Sequence, residues 1–321
     1  MNSDPTPELP KIGVSACLLG HPVRYDGGHK RDRFLVDILS EHVEFIPVCP
    51  ETGVGLPVPR PPIRLVGDPN TPRLVAVDDR ALDLTTTMQR YATDQAASLP
   101  RICGYVLKKD SPSCGMERVK VYGISGKGAI RKGTGIFARI LMEQFPLLPV
   151  EEEGRLNDPV LRENFVNRIY IYQRWLRFLA QGVSAPSLID FHAAHKYLIM
   201  AHSQAAYQRM GRLLSDLSGS KPRSISTAYG QELMTAVKRR VHRRQHVNVL
   251  QHIMGYFKKR IDSGDRLELA SSIESYRRGE TPLIVPITLL RHFLRRYPDD
   301  YLQKQYYLFP HPEKLGLRNA L

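Results

Sequence analysis

Apolar positions in the first 150 residues fall into short runs that end at Gly, Pro or polar residues. Such runs are typical of buried strands in a parallel sheet, and the stretches between them have the spacing of amphipathic helices. The predicted strands are residues 11–17, 44–48, 102–107 and 147–150, and the predicted helices are residues 34–41, 85–99 and 136–144. This alternation predicts an α/β domain with a mostly parallel, Rossmann-like sheet.

Three other stretches of this half interrupt the alternation. Residues 53–64 are rich in Pro and Gly and are predicted as an extended loop, because proline has no amide donor. Residues 74–77 and 80–84 predict a small hairpin beside the main sheet. The Gly-rich, basic stretch 123–135 is predicted as a loop that leads into the next helix.

The rest of the chain has helical periodicity, which predicts an all-α domain. The predicted helices are residues 158–180, 187–219, 227–262, 266–278 and 283–306. A chain of 321 residues is long for one core, so two domains are expected. We predict a disordered N-terminus at 1–10, a catalytic α/β domain at 11–150, a connecting helix and linker at 151–186 with the linker itself at 181–186, and a basic helical domain at 187–321.

Positive charge is unevenly distributed along the chain. The formal net charge is +14 and the isoelectric point is about 9.7. Residues 1–150 contain 19 Lys and Arg against 16 Asp and Glu, whereas the remainder contains 27 against 16. A basic C-terminal half indicates a polyanionic partner, and a solvated surface without a specific partner is the alternative.

The four cysteines suggest metal binding or catalysis. No apolar run reaches the roughly 18 residues of a membrane span, and the first ten residues are unlike a signal peptide. The protein is therefore expected to be cytoplasmic and without a membrane partner. In that compartment, cysteines at long, irregular spacing are more typical of metal sites or catalysis than of disulfides.

Three of the cysteines follow predicted strands. Cys17 and Cys49 end the first two, and Cys114 lies in a polar turn after the third. Carboxyl ends of parallel strands open into one crevice, so the three thiolates are expected to converge. They fit an iron-sulfur cluster better than structural zinc, and three ligands leave one iron open to substrate. Cys103, inside its apolar run, is expected to be structural.

Several motifs around these cysteines resemble the thiouracil desulfidase (TudS) domain. They are Ser15-Ala-Cys-Leu-Leu-Gly20, Val23-Arg-Tyr-Asp-Gly27, Cys49-Pro-Glu51, Pro59-Arg-Pro-Pro-Ile-Arg64 and Lys109-Asp-Ser-Pro-Ser-Cys-Gly115. Residues 191–203, Phe-His-Ala-Ala-His-Lys-Tyr-Leu-Ile-Met-Ala-His-Ser, resemble the helical domain fused to it in bacterial tRNA 4-thiouridine desulfidases (RudS).

The resemblance implies a [4Fe-4S] cluster held by three cysteines, here Cys17, Cys49 and Cys114, whose open iron binds the thiocarbonyl sulfur. It also implies desulfuration of 4-thiouridine in tRNA to uridine, with release of sulfide. Conversion of C=S to C=O is formally hydrolysis, so neither nicotinamide nor flavin is expected.

Hydrolysis needs a base for water and a proton source for the ring. Glu51 lies two residues after a ligand and is the predicted general base, with an ion pair to Arg60 or a turn cap as the alternative. Ser111, or else Ser113, is the predicted proton relay, because a hydroxyl both donates and accepts. Both serines are also ordinary turn formers.

Two further sets of residues are predicted to contact substrate. Arg24, Tyr25 and Asp26 are placed to bind a flat base, and an ordinary loop turn is an equally good interpretation. A tRNA base would have to leave its stack to reach the iron. The predicted RNA-binding residues lie on the predicted helix 227–262, in its cationic run 238–244 and near its end: Lys238, Arg239, Arg240, Arg243, Arg244, Lys258 and Lys259.

His192, His195 and His202 are spaced to share roughly one helical face. A metal site is one interpretation. Packing between helices or contact with phosphate is favoured, because no clustered Cys, Asp or Glu accompanies them.

Two other functions stay open from the sequence. One is a desulfidase of free thiouracil or of thiouridine nucleotides. The other is a nucleic-acid-binding protein whose cluster is structural or redox-sensing. The oligomeric state is not predicted.

Overall fold

The structure, a computed structural model, describes residues 8–79, 81–124, 128–215 and 222–320. It divides into two compact units, Met1–Asn157 and Asp158–Leu321. The predicted linker at 181–186 is therefore not the boundary, because it lies within the second unit. Residues 1–7 of the predicted disordered N-terminus lie outside the described residues.

Strands and helices alternate along the first unit. In chain order they are β1 (Lys11–Ser15), β2 (Glu44–Val48), α1 (Pro50–Gly53), β3 (Ile63–Val66), β4 (Arg73–Ala76), α2 (Thr85–Ser98), β5 (Gly104–Leu107), β6 (Val119–Tyr122), β7 (Ala129–Gly133), α3 (Ile136–Gln144) and β8 (Val150–Glu152). Short 3₁₀ and π turns occupy residues 34–41, where a regular helix was predicted.

The main sheet has the strand order β2-β1-β5-β8, and every neighbouring pair is parallel. This confirms the predicted α/β fold. The ring of Tyr105 on β5 explains the glycine at the centre of β1, because a Cβ at Gly13 would overlap that ring. Tyr105 also packs on Phe137 of α3, with ring centroids 5.8 Å apart, so sheet and helix share one core.

A second sheet has the strand order β4-β3-β6-β7. The predicted hairpin is present in short form, because an antiparallel bridge joins Val75 to Asp83 and the amides of Leu84 and Ala76 donate to the carbonyls of Leu74 and Leu82. The longer pairing of β4 is with β3, which the sequence did not predict. The Gly-rich stretch 123–135 was predicted as a loop, yet it contains β7. Pairing with β6 supplies hydrogen bonds that its local composition does not indicate.

The second unit is helical, which confirms the predicted all-α region. Its helices are α4 (Pro159–Ala180), α5 (Ala185–His202), α6 (Gln204–Ser215), α7 (Pro222–Val237), α8 (Arg243–Phe257), α9 (Ser263–Arg278), α10 (Ile284–Arg296) and α11 (Asp300–Gln303). Two predicted helices were too long, since 187–219 is interrupted at Ser203 and 227–262 at residues 238–242. Among the described residues, no helix is long and apolar enough to cross a membrane.

Helix α4 belongs to the second unit because its buried face joins an aromatic core. The ring of Trp175 stacks on Phe178 and Tyr229, with centroids 5.3 and 5.6 Å away. It meets Phe191 edge-on at 5.4 Å. Asp158 caps α4 by accepting hydrogen bonds from the amides of its first turn, which fixes the start of this helix.

Candidate active site

The three predicted cysteine ligands line one cavity at the carboxyl end of the main sheet. Cys17 follows β1, Cys49 directly follows β2, and Cys114 lies in the turn after β5. Because β1 lies between β2 and β5 and all are parallel, these ends open at the same edge. The cavity lined by the three residues has a volume of about 330 Å³ and is called the cysteine cavity below.

The thiols of this cavity are poorly hydrated. Cys17 and Cys114 are buried, Cys49 is half-buried, and none of the three is in a disulfide. Burial raises the pKa of Cys17 to about 11, and neighbouring Lys108 opposes this rise. Burial also raises the pKa of Cys114 well above its usual value, against a hydrogen bond with Ser15. The cavity therefore disfavours bare thiolates and favours a bound cationic group that neutralises them.

The donor set fits a cluster better than a single ion. Within the described part of the chain, no group of three or more His, Cys, Asp or Glu side chains is arranged to hold one metal ion. A lone zinc ion draws its thiolates to about 2.3 Å, whereas an iron-sulfur cluster places several atoms between them. Cys103 is buried and does not line the cavity.

The start of α3 fixes the turn that carries Cys114. The amide of Gly135 donates to the carbonyl of Gly115 at 2.8 Å. The amide of Ala138 donates to the carbonyl of Ser113 at 3.2 Å. A Cβ at Gly135 would lie 2.8 Å from the amide nitrogen of Cys114, so the close approach of helix and turn requires glycine.

Glu51 lines the cavity beside the cysteines and is held by two side chains. Arg60 donates to Oε2 from Nη2 at 2.5 Å and from Nε at 3.1 Å. The Ser113 hydroxyl donates to Oε1 at 3.0 Å. Arg60 is itself buried and donates to the carbonyls of Val23 and Pro57. The ion pair that the sequence left open is thus present, and it fixes the carboxylate at the cavity.

Ser111 and Ser113, alternatives for one role in the sequence, occupy different positions. Ser113 is fully buried and bonds to Glu51 without lining the cavity. Ser111 lines the cavity, and its hydroxyl oxygen accepts from the amides of Ser113 at 3.2 Å and Cys114 at 3.1 Å. The structure therefore places Ser111 at the turn and the cavity, and Ser113 behind the carboxylate.

Of the predicted base-binding residues, Arg24 and Tyr25 line the cavity and Asp26 does not. The Arg24 guanidinium lies 5.4 Å from the ring centroid of Tyr25, which is 43% exposed. Asp26 accepts from the amide of Gly28 at 3.0 Å and pairs with Arg24 at 3.4 Å. Asp26 thus forms the loop turn, and base binding stays a prediction for Arg24 and Tyr25.

Three cavity-lining lysines were missed from the sequence: Lys30, Lys108 and Lys109. The Lys108 ammonium pairs with Glu153 Oε1 at 2.5 Å, and the amide of Lys109 donates to Glu153 Oε2 at 2.8 Å. For Lys108 and Lys109, the position directly after β5 was the available signal, because the carboxyl end of each strand leads into the cavity.

The cationic segment 238–244 does not lie on one helix as predicted. It spans the end of α7 and the start of α8, because residues 238–242 form the connection. Asn164 of α4 holds this connection by donating to the carbonyls of Val237 at 3.0 Å and Arg239 at 3.2 Å. RNA binding by the seven predicted residues stays a prediction. All seven are exposed: Lys238, Arg239, Arg240, Arg243, Arg244, Lys258 and Lys259.

The three singled-out histidines pack between helices and, among described residues, belong to no metal group. His192 Nδ1 lies 3.1 Å from the Tyr229 hydroxyl, and His202 Nδ1 donates to the Arg239 carbonyl at 2.7 Å. His195 is wholly buried. Burial lowers the pKa of His192 and His202 to about 4, so both are neutral at pH 7.

Two family models match this chain. Residues 12–153 match the 2-thiouracil desulfurase family, and residues 196–312 match DUF1722, a family of unknown function. The first match contains every residue of the cysteine cavity, and the second contains all seven predicted RNA-binding residues.

Two individual proteins are also similar. The uncharacterized protein YbgA of Escherichia coli (strain K12) is 34% identical over 154 residues, which is 48% of this chain and 91% of YbgA. A solved structure of the [4Fe-4S]-dependent thiouracil desulfidase TudS is 35% identical, with a TM-score of 0.38, and the match covers 46% of this chain and 94% of that one.

Proposed function

We infer, on the premise that residues 12–153 of this chain belong to the 2-thiouracil desulfurase family and are followed by a DUF1722 region, that it removes sulfur from a thiolated uracil. We propose 4-thiouridine in tRNA as the substrate, converted to uridine with release of sulfide. The observation that carries the proposal is the cysteine cavity, which is lined by three cysteines, by Glu51 with its fixed carboxylate and by Ser111. The C=S bond is replaced by C=O from water, so no oxidant or reductant is consumed.

In this proposal a [4Fe-4S] cluster is held by Cys17, Cys49 and Cys114. When bound, it supplies a Lewis-acidic iron without a protein ligand, which suits a soft thiocarbonyl sulfur. The burial of Cys17 and Cys114 supports this assignment, because a cationic group relieves the cost of ionising thiols in a dry site.

Glu51 takes a proton from the attacking water as general base. Arg60 donates twice to Oε2 and Ser113 donates once to Oε1, so the second lone pair of Oε1 is available to a water in the cavity. Ser113 is then a positioning residue. Ser111 keeps its proton and donates a hydrogen bond to the ring, because two backbone amides occupy the acceptor side of its hydroxyl. The proton that Glu51 takes from water leaves with the sulfide, so the ring gains no net proton.

The cations of the cavity favour a nucleotide over a free base. Tyr25 offers an exposed ring on which a pyrimidine stacks, beside the Arg24 guanidinium. Lys30 and Lys109 add positive charge at the same cavity, where free thiouracil has no phosphate to bind. In tRNA, the basic residues of the second unit supply further phosphate contacts.

The decisive experiment is anaerobic reconstitution with iron and sulfide, followed by incubation with bulk tRNA and nucleoside analysis. We expect 4-thiouridine to disappear and uridine to appear in equal amount, with sulfide released. Turnover of free 4-thiouracil alone would instead select the free-base desulfidase. If tRNA binds and no thiobase is consumed, the protein is a nucleic-acid-binding protein with a structural or sensing cluster.

A further inference from the structure

A second cavity lies among the helices of the second unit. It has a volume of about 620 Å³ and is lined by α4, α5 and the segment that follows α11. We call it the arginine cavity and define it by Arg174, His195, Lys304, Gln305 and Tyr306, all of which line it. It shares no residue with the cysteine cavity.

Arg174 is held rigidly in this cavity. Its Nε donates to His195 Nε2 at 3.2 Å, and its Nη1 donates to the carbonyl of Pro310 at 3.1 Å. Its guanidinium lies 3.9 Å from the ring centroid of Tyr306. Nη2 is buried and has no hydrogen-bond partner. The guanidinium is therefore preorganised, and one of its donors is unused.

The charge of Arg174 is not balanced by an acid. The structure records no ion pair between Arg174 and any Asp or Glu of the described residues, and burial lowers its pKa only to about 10. His195 Nδ1 donates to the carbonyl of Phe191 at 2.8 Å, so its Nε2 accepts from Arg174 and the ring is neutral. Arg174 is half-buried and its Nη2 is fully buried, and a cation withdrawn from water in this way without a counter-charge is costly, which indicates an anion as its partner.

The other lining residues point to the class of anion. Lys304 and Arg177 bring further positive charge, and the one carboxylate of the lining, Asp190, is exposed. Gln305 lines the cavity and is 1% exposed, and its Oε1 is a buried acceptor without a hydrogen-bond partner. Several cations with one acceptor suit a phosphoryl group attached to a hydroxyl-bearing sugar better than a simple carboxylate.

We propose that the arginine cavity binds the phosphoryl group of a nucleotide, with Arg174 as its charge partner, His195 as the residue that positions Arg174, and Gln305 as the acceptor for a ligand hydroxyl. The site goes beyond the proposed desulfuration and stands independently of it. A phosphoryl group reaches the cavity from either a free mononucleotide or the RNA backbone.

The test is calorimetric titration of the full chain with uridine 5′-monophosphate and with inorganic phosphate, at constant ionic strength. We expect both to bind, and Arg174→Gln to weaken both by about ten- to a hundredfold, as for hydrogen bonds to charged groups. Lys304→Gln, on an exposed side chain that leaves the buried network intact, should weaken them several-fold. Arg277→Gln, which removes an exposed arginine paired with Glu274 at 2.6 Å, should leave both affinities unchanged.

The melting temperature in phosphate-free buffer separates a binding role from a structural one. If Arg174 serves to bind an anion, Arg174→Gln should leave the melting temperature unchanged or raise it. The same substitution should abolish the stabilisation by added phosphate. A lowered melting temperature with unchanged phosphate affinity for both the Arg174 and Lys304 variants would overturn the proposal.

Titration with tRNA distinguishes the two sources. If Arg174→Gln also weakens tRNA binding, and inorganic phosphate competes with tRNA, the ligand is a phosphate of RNA. If tRNA affinity is unchanged while mononucleotide binding is abolished, the ligand is free. Desulfuration of free 4-thiouracil should be the same in the wild type and in the Arg174 variant. Loss of phosphate binding therefore tests the arginine cavity, and loss of desulfuration tests the proposed function.

Discussion

The cysteine cavity of the first unit and the arginine cavity of the second bury charge in opposite ways. In the first, the acidic groups have cations beside them, and the Glu51 carboxylate is bonded directly to Arg60. In the second, the structure records no carboxylate partner for the Arg174 guanidinium among the described residues. An uncompensated buried charge is costly, so the charge of the buried groups in each cavity indicates the opposite charge of its ligand. The buried thiols are suited to a metal cation, and the arginine is suited to an anion.

The two cavities also differ in the elements that build them. The cysteine cavity is made by loops at the carboxyl ends of parallel strands, so each functional side chain is placed by the end of its own strand. The arginine cavity is made by the sides of helices, where α4, α5 and the segment after α11 each contribute a few residues. Loss of one side chain is therefore expected to disrupt the cysteine cavity. The arginine cavity is expected to depend more on how its helices pack and on its net charge.

The largest expected effect is on the thiols. Cys114→Ala should abolish iron retention and reduce turnover to the uncatalysed background, because two cysteines do not replace a three-ligand set. Iron and acid-labile sulfide per chain after anaerobic reconstitution provide the measurement. Cys103→Ala is the matched control, since it removes a buried thiol that does not line the cavity. Loss of iron in the Cys103 variant, or its retention in the Cys114 variant, contradicts the assignment.

The next effect tests the carboxylate without touching the thiols. Glu51→Gln should lower kcat by about a hundredfold or more, with iron content and tRNA affinity unchanged, because a general base acts only on the reaction step. Ser113→Ala should lower kcat about tenfold through misplacement of Glu51. Single-turnover kinetics of 4-thiouridine disappearance measure both.

Glu44→Gln is the control for that experiment, because Glu44 begins β2 at the end of the strand away from the cavity. Its kcat should equal that of the wild type. A Glu51→Gln variant with normal kcat would leave Glu51 with only its ion pair to Arg60.

Acid pH should destabilise the second unit through its buried histidines. Burial holds the pKa of His202 at about 4, below the usual 6.5, so the unfolded state binds this proton more readily. Stability that is fully present above pH 6.5 is then lost as the pH falls to 4, by on the order of 3 kcal/mol. Trp175 is the single tryptophan of the chain and lies in the core of this unit, so its fluorescence in urea reports the change. His202→Gln should flatten the pH dependence, and an unaltered slope would exclude His202 as its source.

Paired glycine substitutions should affect the two units in opposite directions. Gly135→Ala pushes a methyl group against the Cys114 turn and should destabilise the first unit by about 1–3 kcal/mol while it lowers iron retention. Gly211→Ala in α6 meets no atom within 4 Å and should stabilise the second unit by up to about 1 kcal/mol, because alanine favours helix. Differential scanning calorimetry measures both. Equal effects would mean that the close approach at Gly135 is not required.

Sequence reasoning was most successful where function follows directly from a strand end. Cys17, Cys49 and Cys114 could be brought to one crevice because parallel strands share a direction, and this needs no knowledge of side-chain packing. The separate positions of Ser111 and Ser113 could not be predicted, since neighbouring residues of a turn differ only in which way they face. The arginine cavity was missed because Arg174 and His195 are 21 residues apart on different helices, and periodicity gives no crossing geometry.

The cationic segment shows the same limit in the second unit. Its cationic residues are exposed, yet the single helix predicted for them was wrong. Asn164 and the cap at His242 hold a connection between two helices there, and the spacing of apolar residues gives no sign of it. Local composition thus identifies a charged surface. Hydrogen bonds between residues far apart in the sequence determine whether that surface is one helix or two.

The smallest expected effect concerns residues 238–244. Its salt dependence distinguishes tRNA binding by the second unit from catalysis in the first. Turnover of tRNA should fall steeply as salt rises, whereas turnover of free 4-thiouracil should change little, because only tRNA releases counterions on binding. Replacing Lys238, Arg239 and Arg240 by Gln should reduce the slope of log affinity against log salt by up to about 0.9 for each phosphate that the variant no longer neutralises. The same slope should be unchanged by Arg277→Gln, because that arginine is already paired with Glu274. Filter binding of tRNA at increasing potassium chloride gives the slope, and equal slopes for the triple variant and wild type would move the tRNA-binding surface away from residues 238–240.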